Sequence, residues 1–355
     1  MKKFFKSALF ASIFIFIFST SAFASVINNK PITNNTINTI YKETTAKNIA
    51  LKFISNLHEN KKIGKEIKLY NFQDKENSVC FILKNGGYII VSLEDYSIPE
   101  FSITSTNRYF TNTNKKYIYN GPGEYYQKNN NTVISLINNK LVTNQVSIVD
   151  KLSLVSKSNV NTKKQLGINN ISESSVTYNS NFLPHLVPSY TYNPNGVCGS
   201  TAAAMFVEYW NDYIDGRWVP TELQSGDGTL LIKALIPYCQ IDGSAALDPT
   251  HTSLGSGADN LANGIHDYLN SKGVQQSMYW ENFNINRVED CINNKIPAMI
   301  TLANHPVYGN HVVVASGYII LNNTLNGTIN FIQVSDGWGG QGTYVASTYC
   351  DKVVW

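Results

Sequence analysis

The chain has 355 residues with 28 basic and 25 acidic side chains, a formal net charge of +3, and 43% hydrophobic residues. It carries no basic stripe and no basic–aromatic platform, which excludes a nucleic-acid binder of the usual kind. At roughly 150 residues per domain, the length suits about two domains.

The opening "MKKFFKSALFASIFIFIFSTSAFAS" places three lysines before an apolar core from Ala8 to Phe18, followed by Ala22-Phe23-Ala24 and Ser25. This is the pattern of a secretory signal peptide of bacterial look, expected over 1–24, with an exported product beginning near Ser25. The core is too short for an ordinary membrane span, and no later run is long enough for one.

Next, "TTAKNIALKFISNLHENKK" sets Ile49, Leu51, Phe53, Ile54 and Leu57 at helical spacing. "EIKLYNF", "SVCFILKN" and "YIIVSLED" are short β-branched and aromatic runs, separated by turn formers such as Asn85-Gly86-Gly87. One helix on a small antiparallel sheet is expected over 25–140. From about Asn129 to Asn181 the chain is rich in Asn, Ser and Lys, with a helical signal in "NTVISLINNKLV". The stretch 141–181 reads as a linker open to cleavage, and 182–355 as the second domain.

That domain opens with "NPNGVCGSTAAAMFVEYW". A turn delivers Cys198 to the start of a helix whose Ala202, Phe206, Tyr209, Trp210 and Tyr213 recur at helical spacing and form one stripe expected to be buried. Unpaired N–H groups and a partial positive charge at a helix start favour a thiolate, so the placement suits a nucleophile. Further helices are expected in "GADNLANGIHDYLNSKG", ended by Gly273, and in "INRVEDCINNK", which leads into the strand "IPAMITLAN".

The cysteines at 80, 198, 239, 291 and 350 are odd in number and widely spaced, unlike a disulfide framework or a zinc site. All except Cys198 read as structural. "IDGSAALDPTHTS" lacks the alternating oxygen ligands of a calcium loop, so no metal or cofactor is expected.

A cysteine nucleophile needs a base and a group to orient it. His58 and His266 fall on predicted helices; His185, His251 and His305 lie in loops. His311 begins "HVVVASGYIIL", followed by the turn "NNTLNG" and the strand of "TINFIQVSDGWGG". With reversal near residues 324 and 325, His311 falls opposite about residue 338, beside Asp336 and Trp338. The sequon Asn326-Gly327-Thr328 in this turn is assigned no role.

"VCGSTAAAMFVEYW", "GNHVVVASGY" and "VSDGWGG" resemble the three motif blocks of bacterial papain-like cysteine peptidases, especially the secreted C39-like group and the related streptopain-like enzymes. The resemblance implies an α+β papain-like fold, with Cys198 as nucleophile, His311 as base and acid, Asp336 as orienting group and Trp338 as a shielding ring. It implies protein or peptide substrates. Upstream, "NGGYIIVSLEDYSIPEFSIT" resembles the streptopain-type propeptide, implying a zymogen whose own N-terminal domain inhibits it.

The resemblance departs at Tyr192, where such enzymes usually have an oxyanion-hole glutamine; Asn193 and Asn195 are the nearby candidates. Rival readings are a transglutaminase-like acyltransferase, a cell-wall amidase, and a catalytically silent adhesion or binding domain. Incorporation of an amine acceptor separates the first, and thiol labelling in mild acid the last.

Overall fold

A computed structural model describes residues 34–355 apart from 58, 106, 108, 131, 138, 143–175, 249, 251–252, 303–310 and 324–326. The expected signal peptide, most of the linker, the sequon's Asn326 and the histidines 58, 251 and 305 lie outside the described residues.

The first helix, α1, runs Asn34–Asn56 and buries Ala46, Ile49, Ala50, Phe53 and Ile54. Seven strands follow: β1 Ile63–Tyr70, β2 Glu76–Leu83, β3 Tyr88–Ser92, β4 Glu100–Ser102, β5 Lys116–Tyr119, β6 Tyr125–Asn129 and β7 Thr132–Ser135. The helical signal around residue 133 is corrected here. Thr132, Val133 and Ile134 are β-branched and pair with β6, and Asn139 turns the chain back at φ 56° so that Ile134 meets Leu141.

Beyond the linker come β8 Val176–Phe182, α2 Cys198–Tyr213, α3 Thr229–Cys239, α4 Ala258–Ser271, β9 Trp280–Asn282 and α5 Ile285–Asn293. The chain ends in β10 Ala298–Leu302, β11 His311–Asn323, β12 Gly327–Ser335, β13 Thr343–Ala346 and β14 Cys350–Val354. The last residues of the expected linker are thus a strand, β8, paired along β11 from Gly317 to Asn323.

The chain divides into Met1–Tyr41 and a second unit, Lys42–Trp355, which holds every strand named above. In that unit the strands form one sheet in the order β7-β6-β5-β1-β2-β3-β4-β13-β12-β11-β10-β14-β9, with β8 also on β11. The sheet passes from N-terminal to C-terminal strands at β4 and β13, where Phe101 faces Tyr344 and Glu100 faces Val345.

Alternation along β11 to β13 explains a run that is apolar without interruption. Tyr318, Ile320, Ile332, Val334 and Val345 face a core built with α2, α3, α4 and α5. Ile319, Leu321, Phe331, Tyr344 and Ala346 face the other way, into a core shared with α1, β2, β3 and β4. Both faces are covered, so both are apolar. Phe101 stacks on Tyr344 at 4.6 Å and meets Phe331 and Phe53 edge-on at 5.0 and 4.8 Å. Among the described residues no helix is long and apolar enough to cross a membrane.

Candidate active site

Cys198 is the first residue of α2, entered through the tight turn Pro194–Gly196 with Asn195 at φ 56° and Gly196 at φ 88°. Thr201 fastens the turn, its hydroxyl donating to Tyr192 O at 2.9 Å and Val197 O at 3.2 Å. Glycine follows the cysteine because a Cβ there would lie 2.3 Å from Ser256 Oγ. Gln240, buried beneath, donates to Ser200 Oγ and accepts from the hydroxyls of Ser253 and Ser256.

Burial pushes the Cys198 thiol above its ordinary pKa, while the backbone N–H groups of Val312, Gly199 and Cys198 itself pull the other way. The Val312 contact ties Cys198 to the start of β11, where the preceding residue is His311.

Along the β11–β12 hairpin Val314 faces Ser335 and Ala315 faces Val334, and the same register carried outward sets His311 opposite Trp338. The two rings stack at 3.8 Å, 8° from parallel. His311 is buried, and its Nε2 lies 3.0 Å from the main-chain carbonyl of Asp336. A carbonyl only accepts, so Nε2 carries the proton and Nδ1 is the basic nitrogen. Burial lowers the imidazole to about 4, against the opposing charge and hydrogen bond of Asp336.

The carboxylate of Asp336 closes its own turn. Its Oδ1 accepts from Trp338 N and Gly340 N, each at 2.8 Å, while Asp336 N donates to Gly340 O at 3.1 Å. Gly337 and Gly339 take φ 72° and 85°, and a Cβ on Gly340 would collide with Asp336 Oδ2. Gly339 N donates to Tyr190 O at 3.1 Å and Gln341 Nε2 to Val187 O at 2.6 Å, joining this turn to the segment leading to Cys198. The motif "DGWGG" is therefore a cradle that sets a carbonyl and an indole against one imidazole.

The two oxyanion candidates separate. Asn195 spends its amide N–H groups on Ala246 O at 3.3 Å and Asp248 O at 2.9 Å, so it holds a loop and its candidacy is corrected. The side-chain oxygen of Asn193 is buried and has no hydrogen-bond partner among the described residues. The other described histidines have different work: His185 stacks on Tyr213, and His266 bonds Gln276 O and Asn270. Of the four cysteines expected to be structural, Cys80, Cys239 and Cys291 are buried and Cys350 partly so, and none of the five forms a disulfide. Among the described residues no group of three His, Cys, Asp or Glu could hold a metal ion.

One neighbour of the site was not singled out from sequence. The buried turn Gly121-Pro122-Gly123-Glu124 crosses it, closed by Glu124 N donating to Gly121 O at 3.0 Å. Gly123 takes φ 84°, and a Cβ placed on it would lie 3.5 Å from His311 Cδ2 and 3.7 Å from the Trp338 ring. Glycine pairs in "NGPGE" signal a turn, but nothing local says what the turn covers.

A strand-start imidazole braced by an indole and a carbonyl, one residue from the backbone N–H that meets a helix-start thiol, suits acyl transfer by cysteine. Residues 184–353 match the model of the Peptidase_C39 like family, which supports a C39-like cysteine peptidase. The large mixed sheet with helices is compatible with a papain-like fold. No curated protein matches the chain.

Proposed function

We propose that this chain is an exported cysteine endopeptidase, made as a zymogen, that cleaves peptide bonds through Cys198, His311 and Asp336. The observation that carries it is the stacked His311–Trp338 pair with Nε2 on Asp336 O, at the same strand end whose Val312 N–H reaches the Cys198 sulfur.

The chemistry follows from the tautomer. Nδ1 takes the thiol proton, the thiolate attacks the peptide carbonyl, and the imidazolium then gives that proton to the departing amine. Water, deprotonated by the same nitrogen, hydrolyses the thioester and returns the thiol. Cys198 N–H and the side-chain amide of Asn193 are the oxyanion donors, the amide turned so that its nitrogen occupies the orphaned position. Residues 25–140 act as the intramolecular inhibitor, with Gly123 laid over His311. The family match does not favour the acyltransferase, amidase or silent-domain readings.

The test is turnover of a peptide library after cleavage of the chain between β7 and β8. Cys198→Ala and His311→Ala are expected to abolish turnover without unfolding, and iodoacetamide is expected to label Cys198 at mildly acidic pH once the N-terminal half has been detached. Peptide hydrolysis at the wild-type rate by Cys198→Ala overturns the reading.

A further inference from the structure

Glu100 stands where the sheet passes from one half of the chain to the other. It belongs to β4, faces Val345 of β13, and is fully buried. Tyr125 donates its hydroxyl to this carboxylate at 2.7 Å and Tyr88 at 3.2 Å. Tyr88 also lies 3.5 Å from Thr343 Oγ1 on β13, so the tyrosine fan spans the joint.

The ionisable groups around Glu100 come from every element packed on it: Cys80 of β2, Tyr88 of β3, Tyr119 of β5, Tyr125 of β6, Asp336 after β12 and Tyr349 after β13. These are weak neutral acids and one carboxylate. A charge on Glu100 therefore stands in a buried joint facing Asp336, the residue that braces the catalytic ring.

We propose that Glu100 is the pH-sensitive latch of the cover: protonated, it holds β4 on β13 and Gly123 on His311; ionised, it loosens the joint and frees the site. This rests on the reading of the N-terminal half as an inhibitor. Burial, less the pull of the tyrosine hydrogen bonds, raises the carboxyl from 4.5 to about 7. Below about 4.5 both closed and open joints carry the proton, so nothing distinguishes them. Between that and about 7 only the closed joint keeps it, and closure weakens as pH rises, levelling off above neutrality.

His311 pulls the opposite way if it gains a proton on opening, because its buried pKa is lowered. In the working site its proton comes from Cys198, so forming the ion pair takes up none from solvent. Comparing Glu100 with glutamine at the same pH removes any remainder.

The experiment is hydrogen exchange of the full chain carrying Cys198→Ala, with and without Glu100→Gln, at pH 4.5 and pH 8. The reporter is the Ala346 amide, which donates to Pro99 O at 2.9 Å across the joint. Protection in the Gln form relative to the Glu form is expected to rise by roughly 10- to 300-fold between the two pH values. Equal ratios at both overturn the latch. Tyr125→Phe provides a second reading should Glu100→Gln fail to fold. Loss of a hydrogen bond to the ionised form is expected to move the midpoint of opening to higher pH, and an unmoved midpoint overturns the proposal. Exchange needs no turnover, so a chain without peptidase activity in any form sinks the proposed function and leaves the latch standing or falling by itself.

Discussion

Asp336 acts on His311 through its position in a turn as well as through its charge. Its carbonyl meets Nε2, while its carboxylate holds the N–H groups of Trp338 and Gly340 that shape the cradle. Asparagine keeps an oxygen for both N–H groups, so Asp336→Asn is expected to retain kcat/KM within about tenfold, whereas Asp336→Ala loses the staple and about 1–3 kcal/mol of stability. Equal activities in the two variants would remove the side chain from the catalytic argument. The same covered site predicts a pH response. Burial raises the Cys198 thiol and lowers His311 to about 4, so the intact chain holds a neutral pair through mild acid and neutrality. Its stability contribution from neutral His311 is present above about pH 6.5 and lost as pH falls through about 4. Iodoacetamide should therefore alkylate Cys198 at pH 6 at least tenfold more slowly in the intact chain than in the uncovered one, measured as second-order rates.

At the scale of elements, what could be read from sequence was what is local. A helix start carrying Cys198 and a hairpin carrying His311 are encoded in periods of a few residues, and the hairpin's own register brings Trp338 opposite the imidazole. Three features resisted. β7 was hidden because "VISLINN" mixes β-branched and helix-tolerant residues, and its pairing with β6 decides. The work of the Asp336 carboxylate was hidden because hairpin register places residues, not side-chain oxygens. Contact between Gly123 and His311 was hidden because it joins segments far apart in the chain, and the continuous apolar run of β11 gives only its consequence, a sheet covered on both faces. The turn itself predicts a test. At φ 84° a β-branched residue is strained, and its side chain would press on His311, so Gly123→Val is expected to raise peptide hydrolysis by the full chain several-fold at a cost of about 1–3 kcal/mol in stability. Activity unchanged from wild type would show that this turn does not gate the site.

At the scale of the whole molecule, the question is what would hold the proposed inhibitor in place if the chain were cut between β7 and β8. A detachable domain should leave behind a surface that tolerates water. Here, separating the halves would expose Phe331, Tyr344, Ile319 and Leu321, now packed against Phe53, Phe101 and the rest of the shared core, and would leave the β13 edge unpaired. Cleavage by itself therefore does not dissociate the halves, and the cut chain is expected to elute as one particle in mild acid, at the mass of both fragments together. Weakening the shared core should change that. Phe101→Ala removes a side chain at the centre of the aromatic cluster, at about 3–5 kcal/mol for a buried phenylalanine, so the same cut should release a separate fragment beginning near β8. The check is size-exclusion chromatography of cut wild type and cut Phe101→Ala at equal concentration. Two separate peaks from the wild type at pH 5 would mean that the covalent link, and not the joint between β4 and β13, keeps the cover on the active site.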